Sequence, residues 1–485
     1  MLEKLQPEKV FYYFEQICRI PHGSGNTRQI SDYLVSFARE RKLQYYQDEL
    51  NNVIIIKEAS PGYEQEPPMM IQGHMDMVAV KEEDCPIDME KEGLKLAVGD
   101  DLVYAEGTSL GADDGIAVAY ALALLDSDTL RHPRLEVILT VDEEVGMEGA
   151  LFIDLSMLKG KRLLNIDSET QGELTVSCAG GVRVNGSFAD ISETVQTTEE
   201  CCRCTVELDG LTGGHSGTEI HHHRANANIL MGRMLYDLAG KIEFRLISLD
   251  GGTKDNVIPA RAKAVLLVRK EQKEQLHRLL AQWEEAFRHE FENTDPQLRI
   301  VSDIQETKQS EEVFLTEKTT KLLNFLQNTK NGVQSMSREL PNLVETSLNL
   351  GIIQTAGRQM HLSFSIRSSD KKAKEALRKE ICESLFRAGA QISLTGDYPA
   401  WELKKDSKLT AQMCAVYEEL FGEKPVVLAV HAGLECGILA DKIEGLDSVS
   451  FGPDSYDIHT TRERLSISSA QRMWDYLVAI LERKM

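Results

Sequence analysis

The distribution of apolar residues in the first part of the chain predicts a sheet of buried strands. Residues 53–57, 69–73, 135–141 and 163–166 are short, mostly apolar runs, as is typical of strands covered on both faces. Residues 116–125 predict a helix that is apolar on nearly every side and therefore buried. Because strands and helices alternate along this part, the pattern predicts an α/β sheet with right-handed crossovers.

The pattern changes from about residue 181, where longer strands are separated by amphipathic helices. This arrangement predicts an antiparallel sheet with helices on one face, and one of these helices is expected over residues 312–328. Near the carboxyl end, the pattern of the first part returns. The predicted fold class is α/β: a mainly parallel sheet flanked by helices, formed by residues 1–180 and 399–485 and interrupted by an inserted α+β domain, residues 181–398.

Composition and charge indicate which classes of macromolecule are unsuitable as binding partners. The 485 residues carry a net charge of −23 and contain no basic tract, which argues against nucleic acid and anionic membranes as partners. An acidic total is by itself a common solubility feature. The start of the chain has no apolar secretory-signal core and the apolar helix is too short to cross a bilayer, so a cytoplasmic protein is expected.

The nine cysteines are scattered along the chain except for Cys201, Cys202 and Cys204. Cys201 and Cys204 have C-x-x-C spacing, but no second pair completes a zinc site. Free thiols within a strand, in a reducing compartment, are the favoured interpretation. The run of histidines at residues 221–223 is likewise interpreted as part of the loop before a helix rather than as a metal site.

Acidic and imidazole side chains follow three of the predicted strands at the point where each strand ends. His74 and Asp76 follow the second strand, Glu143 and Glu144 the third, and Asp167 the fourth. Each group alone could be an ordinary polar turn. In an α/β sheet, however, the site lies beyond the carboxyl ends of the strands, so we expect these side chains to lie close together.

Five candidate residues form a possible ligand set for two divalent ions: His74, Asp113, Glu144, Asp167 and His459. If Asp113 bridges the ions, each ion has three protein ligands, and a shared water completes the four that catalytic zinc usually has. Three carboxylates and one hydroxide also balance the charge of two divalent cations. Zinc, with two ions per subunit, is the first choice, and manganese or cobalt can substitute.

The remaining two acids indicate how such a site would act. Two ions about 3.5–4 Å apart lower the pKa of a bridging water and polarise a scissile carbonyl. Glu143 is then free to take the proton of that water and to pass it to the leaving amine. Asp76 would orient His74. The combination predicts metal-assisted hydrolysis of an amide bond, with solvated acidic turns as the alternative.

Six short motifs combine these candidates with neighbouring residues. They are His74-Met75-Asp76, Gly111-Ala112-Asp113-Asp114-Gly115, Asp142-Glu143-Glu144-Val145-Gly146, Asn165-Ile166-Asp167, Gly213-Gly214-His215-Ser216-Gly217 and Asn256-Val257-Ile258-Pro259. Together they resemble the di-zinc aminoacylase and carboxypeptidase clan of metallopeptidases. The length, the large insert and the run from His431 to Gly437 resemble its aminoacyl-histidine dipeptidase branch (peptidase D, carnosinase-like). The resemblance covers essentially the whole chain and implies a zinc dipeptidase that cleaves Xaa-His dipeptides, including carnosine-like substrates.

The resemblance also implies roles outside the candidate ligand set. His215 resembles the lid histidine that stabilises the oxyanion, often from another subunit; a loop side chain bonded to backbone is the alternative. Asn256, Arg367 and Gly433 resemble the positions that hold the C-terminal end of the substrate, and a structural salt bridge is the alternative for Arg367. The family further implies a cis peptide bond after Asp113. The insert, as a lid, has surface through which a homodimer can form.

Three alternatives stay open at this level. Asp114 stands where this branch often has Asn, so Asp113 and Asp114 are both candidates for the bridging carboxylate. The chain could also be another amidohydrolase of the clan, such as a tripeptidase or an N-acyl amino-acid deacylase. A non-catalytic metal-binding or peptide-binding protein is the third alternative. Glu143 argues against it, because a binding module needs no base beside its ligands.

Overall fold

The computed structural model describes residue 2 and residues 4–197, 200–340 and 342–484. The chain divides into two compact units. The first is formed from Met1–Cys178, Leu403–Ala429 and Leu434–Met485, and the second from Ala179–Glu402 and Val430–Gly433. The short segment Val430–Gly433 therefore belongs to the second unit, although it lies in the carboxyl-terminal part of the chain.

The described residues form eleven α-helices, of which the short one at Glu148–Phe152 was not predicted. They are α1 Glu8–Cys18, α2 Arg28–Glu40, α3 Ala112–Asp126, α4 Glu148–Phe152, α5 Ala227–Ala239, α6 Lys273–Glu290, α7 Thr316–Asn328, α8 Lys371–Ala388, α9 Lys408–Phe421, α10 Glu435–Lys442 and α11 Ile467–Glu482. Four of them begin at a side chain that accepts a first-turn backbone N–H, namely Asn226, Asp370, Ser407 and Ser466. None of the described helices has the length and apolar character needed to span a membrane.

The strands of the described residues form two large sheets and three small ones. In chain order they are β1 Gln44–Gln47, β2 Val53–Lys57, β3 Met69–His74, β4 Leu96–Gly99, β5 Leu102–Ala105, β6 Leu135–Thr140, β7 Arg162–Asn165, β8 Glu173–Cys178, β9 Gly180–Phe188, β10 Ser192–Val195, β11 Cys201–Asp209, β12 Gly214–His215, β13 Phe244–Gly251, β14 Val257–Ile258, β15 Ala262–Arg269, β16 Arg299–Glu306, β17 Glu311–Phe314, β18 Gly332–Met336, β19 Val344–Ala356, β20 Gln359–Ser368, β21 Gln391–Tyr398, β22 Val426–Val430, β23 Asp447–Ser450, β24 Ser455–Tyr456 and β25 Arg464–Ser466.

The first unit is built on an eight-stranded sheet with the order β1-β2-β6-β3-β7-β23-β8-β22. The central strands β6, β3, β7 and β23 are parallel, whereas the pairs β1–β2, β2–β6 and β23–β8 are antiparallel. Helix α3 packs beside β3 and is buried from Gly115 to Leu125, as its composition predicts. The predicted α/β class is confirmed, and the four central strands form its parallel part in the pairs described above.

Parallel pairing brings the carboxyl ends of the central strands to one edge of this sheet. His74 at the end of β3 pairs with Thr140 at the end of β6, and Gln72 pairs with Asn165 at the end of β7. The loops that carry the candidate acids follow directly after these residues. They therefore begin side by side, where ligands bind in sheets of this kind.

The second unit is built on a sheet in which the described strand pairs are antiparallel. Its strand order is β16-β11-β15-β13-β19-β20-β9-β21, with β18 added to β19. Helices α5, α6, α7 and α8 each contribute buried apolar residues to the core of this unit. The α+β character expected for the insert is confirmed.

Two parts of the second unit differ from the predicted pattern. The helix predicted over residues 312–328 begins only at Thr316, because Glu311–Phe314 forms β17 and pairs with β10. Buried Val313 and Phe314 supply apolar positions that also fit a helical period. The strands β16 and β21, at the sheet edges, were not predicted. Their residues are exposed or only partly buried, and the few apolar positions, such as Ile300, Ile304 and Ile392, stand among polar residues and give a weak signal.

Candidate metal centre

His74 is the last residue of β3, and its imidazole is almost completely buried. Its Nδ1 lies 3.0 Å from the backbone carbonyl oxygen of Asp76. Because a carbonyl oxygen only accepts hydrogen bonds, Nδ1 carries the proton, and the lone pair of the neutral ring is on Nε2. A histidine held in this way presents Nε2 as a ligand atom.

The Nε2 atoms of two histidines converge on the carboxylate of Asp113. His74 Nε2 lies 3.0 Å from Oδ1 of Asp113, and His459 Nε2 lies 3.0 Å from its Oδ2. Each histidine also has a second carboxylate beside it. Asp167 Oδ1 is 3.6 Å from His74 Nε2, and Glu144 Oε1 is 2.8 Å from His459 Nε2. The structure thus brings together the five residues of the predicted ligand set, with Asp113 in the middle.

Asp113 and Asp114 have different partners, although they are neighbours. The cis peptide bond predicted after Asp113 is present. Asp114 Oδ2 accepts the backbone N–H of His74 at 3.2 Å. Ligand atoms of His74, Asp113 and Glu144 lie within 4.8 Å of one another, and so do those of His74, Asp114 and Asp167. The additional contact with His459 favours Asp113 over Asp114 as the carboxylate shared by two ions.

The carboxylates of this cluster exceed the positive charge around them. Among the described residues, they form ion pairs only with His74 and His459. Burial raises the pKa of Glu143 well above its usual range, and the neighbouring Asp167 carboxylate adds to the shift. Burial also raises the pKa of Glu144 and of Asp167. A divalent cation would neutralise such a cluster, so the residues present fit a metal ion.

The pKa values of His74 and His459 are both raised by their carboxylate neighbours. Hydrogen bonds with Asp113 and Glu144 raise the pKa of His459 to about 10. Burial acts to lower the pKa of His74, but hydrogen bonds with Asp113 and Asp167 raise it well above its usual value. In the metal-free protein the neighbouring carboxylates therefore favour the protonated form of both rings. Metal binding would release these protons, because an imidazole ligand must be neutral.

Asp76 links His74 to the candidate base Glu143. Its Oδ1 lies 3.5 Å from His74 Nδ1 and accepts the backbone N–H of Glu143 at 3.2 Å. Its Oδ2 accepts the hydroxyl of Ser24 at 2.8 Å. Burial acts to raise the pKa of Asp76, but these hydrogen bonds lower it overall, so the carboxylate stays ionised. One buried carboxylate thus holds both the histidine and the loop that carries the candidate base.

The other predicted functional residues lie in the second unit. His215 belongs to β12, and its Nδ1 accepts the backbone N–H of Thr218 at 3.1 Å. The proton of the neutral ring is therefore on Nε2. Burial lowers the pKa of His215 and the Arg367 guanidinium lowers it further, so the ring is neutral near pH 7. The backbone contact expected as an alternative is present at Nδ1, and it leaves Nε2–H as a donor.

Arg367 lies on β20 and donates from Nη1 to the hydroxyl of Tyr398 at 3.0 Å. In the part of the chain that the structure describes, no carboxylate pairs with this guanidinium, and its Nε is buried without a protein partner. A guanidinium in this state can bind an anionic group of a ligand.

Gly433 packs against Tyr398, where a Cβ would come within 2.7 Å of ring atom Cε2. The backbone carbonyl of Asn256 accepts the N–H of Ser216 at 2.8 Å.

Three buried residues were not singled out from the sequence. Glu435 accepts the hydroxyl of Thr140 at 2.6 Å, and Glu463 accepts backbone N–H groups at the start of α3. In the second unit, Nε2 of His431 lies 2.7 Å from the hydroxyl oxygen of Ser347. His431 and Glu435 belong to a motif that carried the family resemblance, which was a usable signal. Glu463 stands between two arginines and resembles an ordinary surface charge in the sequence.

The chain is similar to known peptidases over nearly its whole length. The model of the Peptidase family M20/M25/M40 matches residues 70–483. The cytosol non-specific dipeptidase of Escherichia coli (strain K12) is 33% identical over 482 residues, which cover 99% of this chain and 98% of that relative. The structure of aminoacylhistidine dipeptidase from Vibrio alginolyticus matches with a TM-score of 0.91 and 35% identity, covering 100% of this chain and 98% of that one. A tripeptidase from Staphylococcus aureus shares the fold at a TM-score of 0.57 and 15% identity, covering 99% of this chain and 98% of that one.

Proposed function

The chain belongs to peptidase family M20/M25/M40, and on this premise we propose that it is a metal-dependent dipeptidase that hydrolyses Xaa-His dipeptides such as carnosine. The histidine preference is supported by the similarity to an aminoacylhistidine dipeptidase over the full chain. The observation that carries the metal dependence is the convergence of two Nε2 atoms on the two oxygens of Asp113.

Two divalent ions would be held by the five converging side chains. His74, Asp113 and Asp167 would bind one ion, and Asp113, Glu144 and His459 the other. The proposed metal is zinc, two per subunit, and manganese or cobalt can substitute because the donors are imidazole and carboxylate. When bound, such ions lower the pKa of a water and polarise the scissile carbonyl.

Glu143 is the proposed general base. Its raised pKa suits a group that takes the proton of the attacking water and then gives it to the leaving amine. Asp76 would keep His74 in the required tautomer and, through the backbone N–H of Glu143, hold the loop of the base.

The second unit would supply the substrate contacts and act as a lid. Arg367 would pair with the carboxylate at the C-terminal end of the dipeptide, and Asn256 and Gly433 would lie at the same end. A guanidinium that lacks a carboxylate partner among the described residues supports this assignment. His215 would donate from Nε2 to the oxyanion that forms at the scissile carbonyl.

We further propose that the enzyme acts in the cytoplasm as a homodimer formed through its second unit. The location is supported by the name of the Escherichia coli relative, a cytosol dipeptidase. The proposed partner is a small peptide, and the net charge of −23 argues against nucleic acid and anionic membrane surfaces.

A dipeptidase of broad specificity is the second candidate. It is favoured by one observation, that the relative at 33% identity is named a non-specific dipeptidase. The two candidates share the metal centre and the base, and they differ only in the preference for histidine.

An assay of the purified enzyme with carnosine, Gly-His and Gly-Leu distinguishes these candidates. We expect kcat/KM for Gly-His to exceed that for Gly-Leu by at least about tenfold, which corresponds to about 1.4 kcal/mol. A chelator should abolish hydrolysis, and added zinc should restore it. Equal rates for Gly-His and Gly-Leu would select the broad dipeptidase. Full activity in the chelated protein, or no hydrolysis of any dipeptide after zinc loading, would contradict the proposal.

A further inference from the structure

Glu463 joins two parts of the candidate metal centre that are far apart in the sequence. It lies four residues after His459, and its carboxylate reaches the start of α3, which carries Asp113. Glu463 is 3% exposed, although it stands between Arg462 and Arg464. Burying a carboxylate is costly unless its oxygens are hydrogen-bonded. The contacts of this side chain therefore indicate what holds it in the interior.

Four consecutive backbone N–H groups donate to the Glu463 carboxylate. Those of Leu110 and Gly111 donate to Oε2 at 2.8 and 3.0 Å, and those of Ala112 and Asp113 donate to Oε1 at 2.8 and 3.3 Å. Both oxygens are thus fully used, and the amino-terminal end of a helix also favours negative charge. The last donor is the backbone of the proposed bridging ligand.

The loop from His459 to Glu463 is short and internally bonded. The N–H of Glu463 donates to the carbonyl of Thr460 at 3.2 Å, and the hydroxyl of Thr460 donates to the carbonyl of Asp457 at 2.7 Å. The backbone of His459 is in the left-handed region, with φ 60°. Its side chain is 44% exposed, compared with 1% for His74. The His459 ring is therefore held less by side-chain packing than His74 is, and its position depends on the loop.

We infer that Glu463 is a positioning residue, which fixes the distance between His459 and Asp113 and so completes the second of the two proposed ion sites. The inference rests on the proposed function, because it assumes that ions bind at the candidate centre. The first ion site also contains Asp113, but it depends less on Glu463 because its other two ligands are held by the sheet. His74 and Asp167 follow β3 and β7, and the pairing of these strands in the parallel sheet holds both residues.

The test compares Glu463→Gln with Glu136→Gln by titrating the metal-free protein with zinc in a calorimeter. Glutamine keeps the shape of the side chain, but its amide nitrogen cannot accept a hydrogen bond, so two N–H groups lose their acceptor. Glu136 is a matched control. It is fully buried in the first unit, accepts the backbone N–H groups of Lys159 and Gly160, and lies at the opposite end of β6 from Thr140.

The wild-type protein is expected to bind two equivalents of zinc. In Glu463→Gln, one equivalent should keep the wild-type affinity and the other should weaken by about 10–100-fold, as for partners that orient a ligand. Glu136→Gln should bind both equivalents as the wild type does, even where both variants unfold at a lower temperature. The loss of a single equivalent is a result that a merely structural role would not produce.

Two unchanged equivalents in Glu463→Gln, or the same loss in Glu136→Gln, would overturn the inference and leave the dipeptidase proposal intact. A wild-type protein that binds no zinc would overturn both. If Glu463→Gln does not fold, Thr460→Ala loosens the same loop and leaves the buried carboxylate in place. That variant should weaken one equivalent by about threefold, the effect of one hydrogen bond. Unchanged binding in Thr460→Ala would then contradict the inference.

Discussion

The pKa values of buried side chains at the candidate sites differ between the two units: those of Glu144 and Asp167 in the first unit are raised, and that of His431 in the second is lowered. In the first unit, burial raises the pKa of Glu144 and of Asp167, which lie beside other carboxylates. In the second unit, burial lowers the pKa of His431 to about 3, and the nearby Arg367 guanidinium contributes to the shift. The first unit thus gathers excess negative charge, whereas the second keeps His215 and His431 neutral beside Arg367.

This difference shows which ions each unit can bind. A cluster with excess carboxylates is stabilised by a cation. A guanidinium beside neutral histidines is stabilised by an anion, such as the terminal carboxylate of a peptide. Substitutions in the first unit should therefore change metal binding or turnover. Substitutions in the second unit should change substrate binding and leave the metal in place.

The largest expected effect is on turnover in Glu143→Gln. Removal of the proposed base should lower kcat by about 10²–10⁴-fold, the usual contribution of general acid–base catalysis. The protein should keep two equivalents of zinc in elemental analysis, because Glu143 is outside the proposed ligand set. Glu148→Gln, an exposed glutamate of α4, is the control and should match the wild type. Wild-type kcat in Glu143→Gln would contradict the mechanism, and loss of zinc would make Glu143 a ligand.

His74→Ala should weaken zinc binding at one site by at least about 100-fold, because even residues that only orient a ligand contribute 10–100-fold. Calorimetric titration of the metal-free protein measures this change. His132→Ala is the matched control, since His132 is also buried in the first unit and its Nδ1 donates to the carbonyl of Pro133 at 2.8 Å. Two equivalents at wild-type affinity in His74→Ala would show that His74 is not a ligand of either ion.

Much of the first unit could be predicted because its central strands are buried on both faces. The strands that end at His74 and Asn165 are buried throughout and begin with or contain apolar runs, so the sequence marks both the strand and the start of the loop. Parallel order then brings those loops together without knowledge of any side-chain contact. No strand end marks Asp113 or His459 in this way, and their assignment depended on the ligand count and the family resemblance.

Contacts outside the predicted ligand set, between residues distant in the sequence, could not be predicted. Glu463 and Asp113 are 350 positions apart, and Glu435 and Thr140 are 295 apart. One sequence does not indicate which backbone groups a buried carboxylate meets, because that depends on how the finished fold packs. The same limit applies to Arg367, for which the sequence left a salt bridge and a substrate contact equally open.

Arg367→Ala should raise KM for a dipeptide by about 10–100-fold and change kcat much less, because hydrogen bonds to charged groups contribute about 1.5–3 kcal/mol. Steady-state kinetics with Gly-His and with its C-terminal amide make the test sharper. The wild type should discriminate against the amide, and Arg367→Ala should not. Arg358→Ala is the control, since this arginine of the same unit is 59% exposed. If Arg367→Ala and the wild type discriminate equally between Gly-His and its amide, Arg367 does not bind the terminal carboxylate.

The smallest expected effect is on the pH dependence of stability. His431 is buried, with its pKa lowered from 6.5 to about 3. Below pH 6.5 the unfolded chain binds a proton at this residue and the folded protein does not, so stability falls as the pH falls. At pH 5.5 this group should cost about 1.4 kcal/mol relative to pH 7.5. His431→Gln should lose that much less stability between the two pH values, as measured by urea unfolding.

The exposed His277→Gln is the control for this measurement and should follow the wild type. A wild-type pH dependence in His431→Gln would mean that the folded second unit protonates the buried ring near pH 6. Its charge would then add to that of Arg367 at acidic pH, and KM for a dipeptide should fall with the pH as the anion site strengthens. A KM that stays constant between pH 7.5 and 5.5, together with the stability difference, would instead show that the neutral ring only supports the guanidinium.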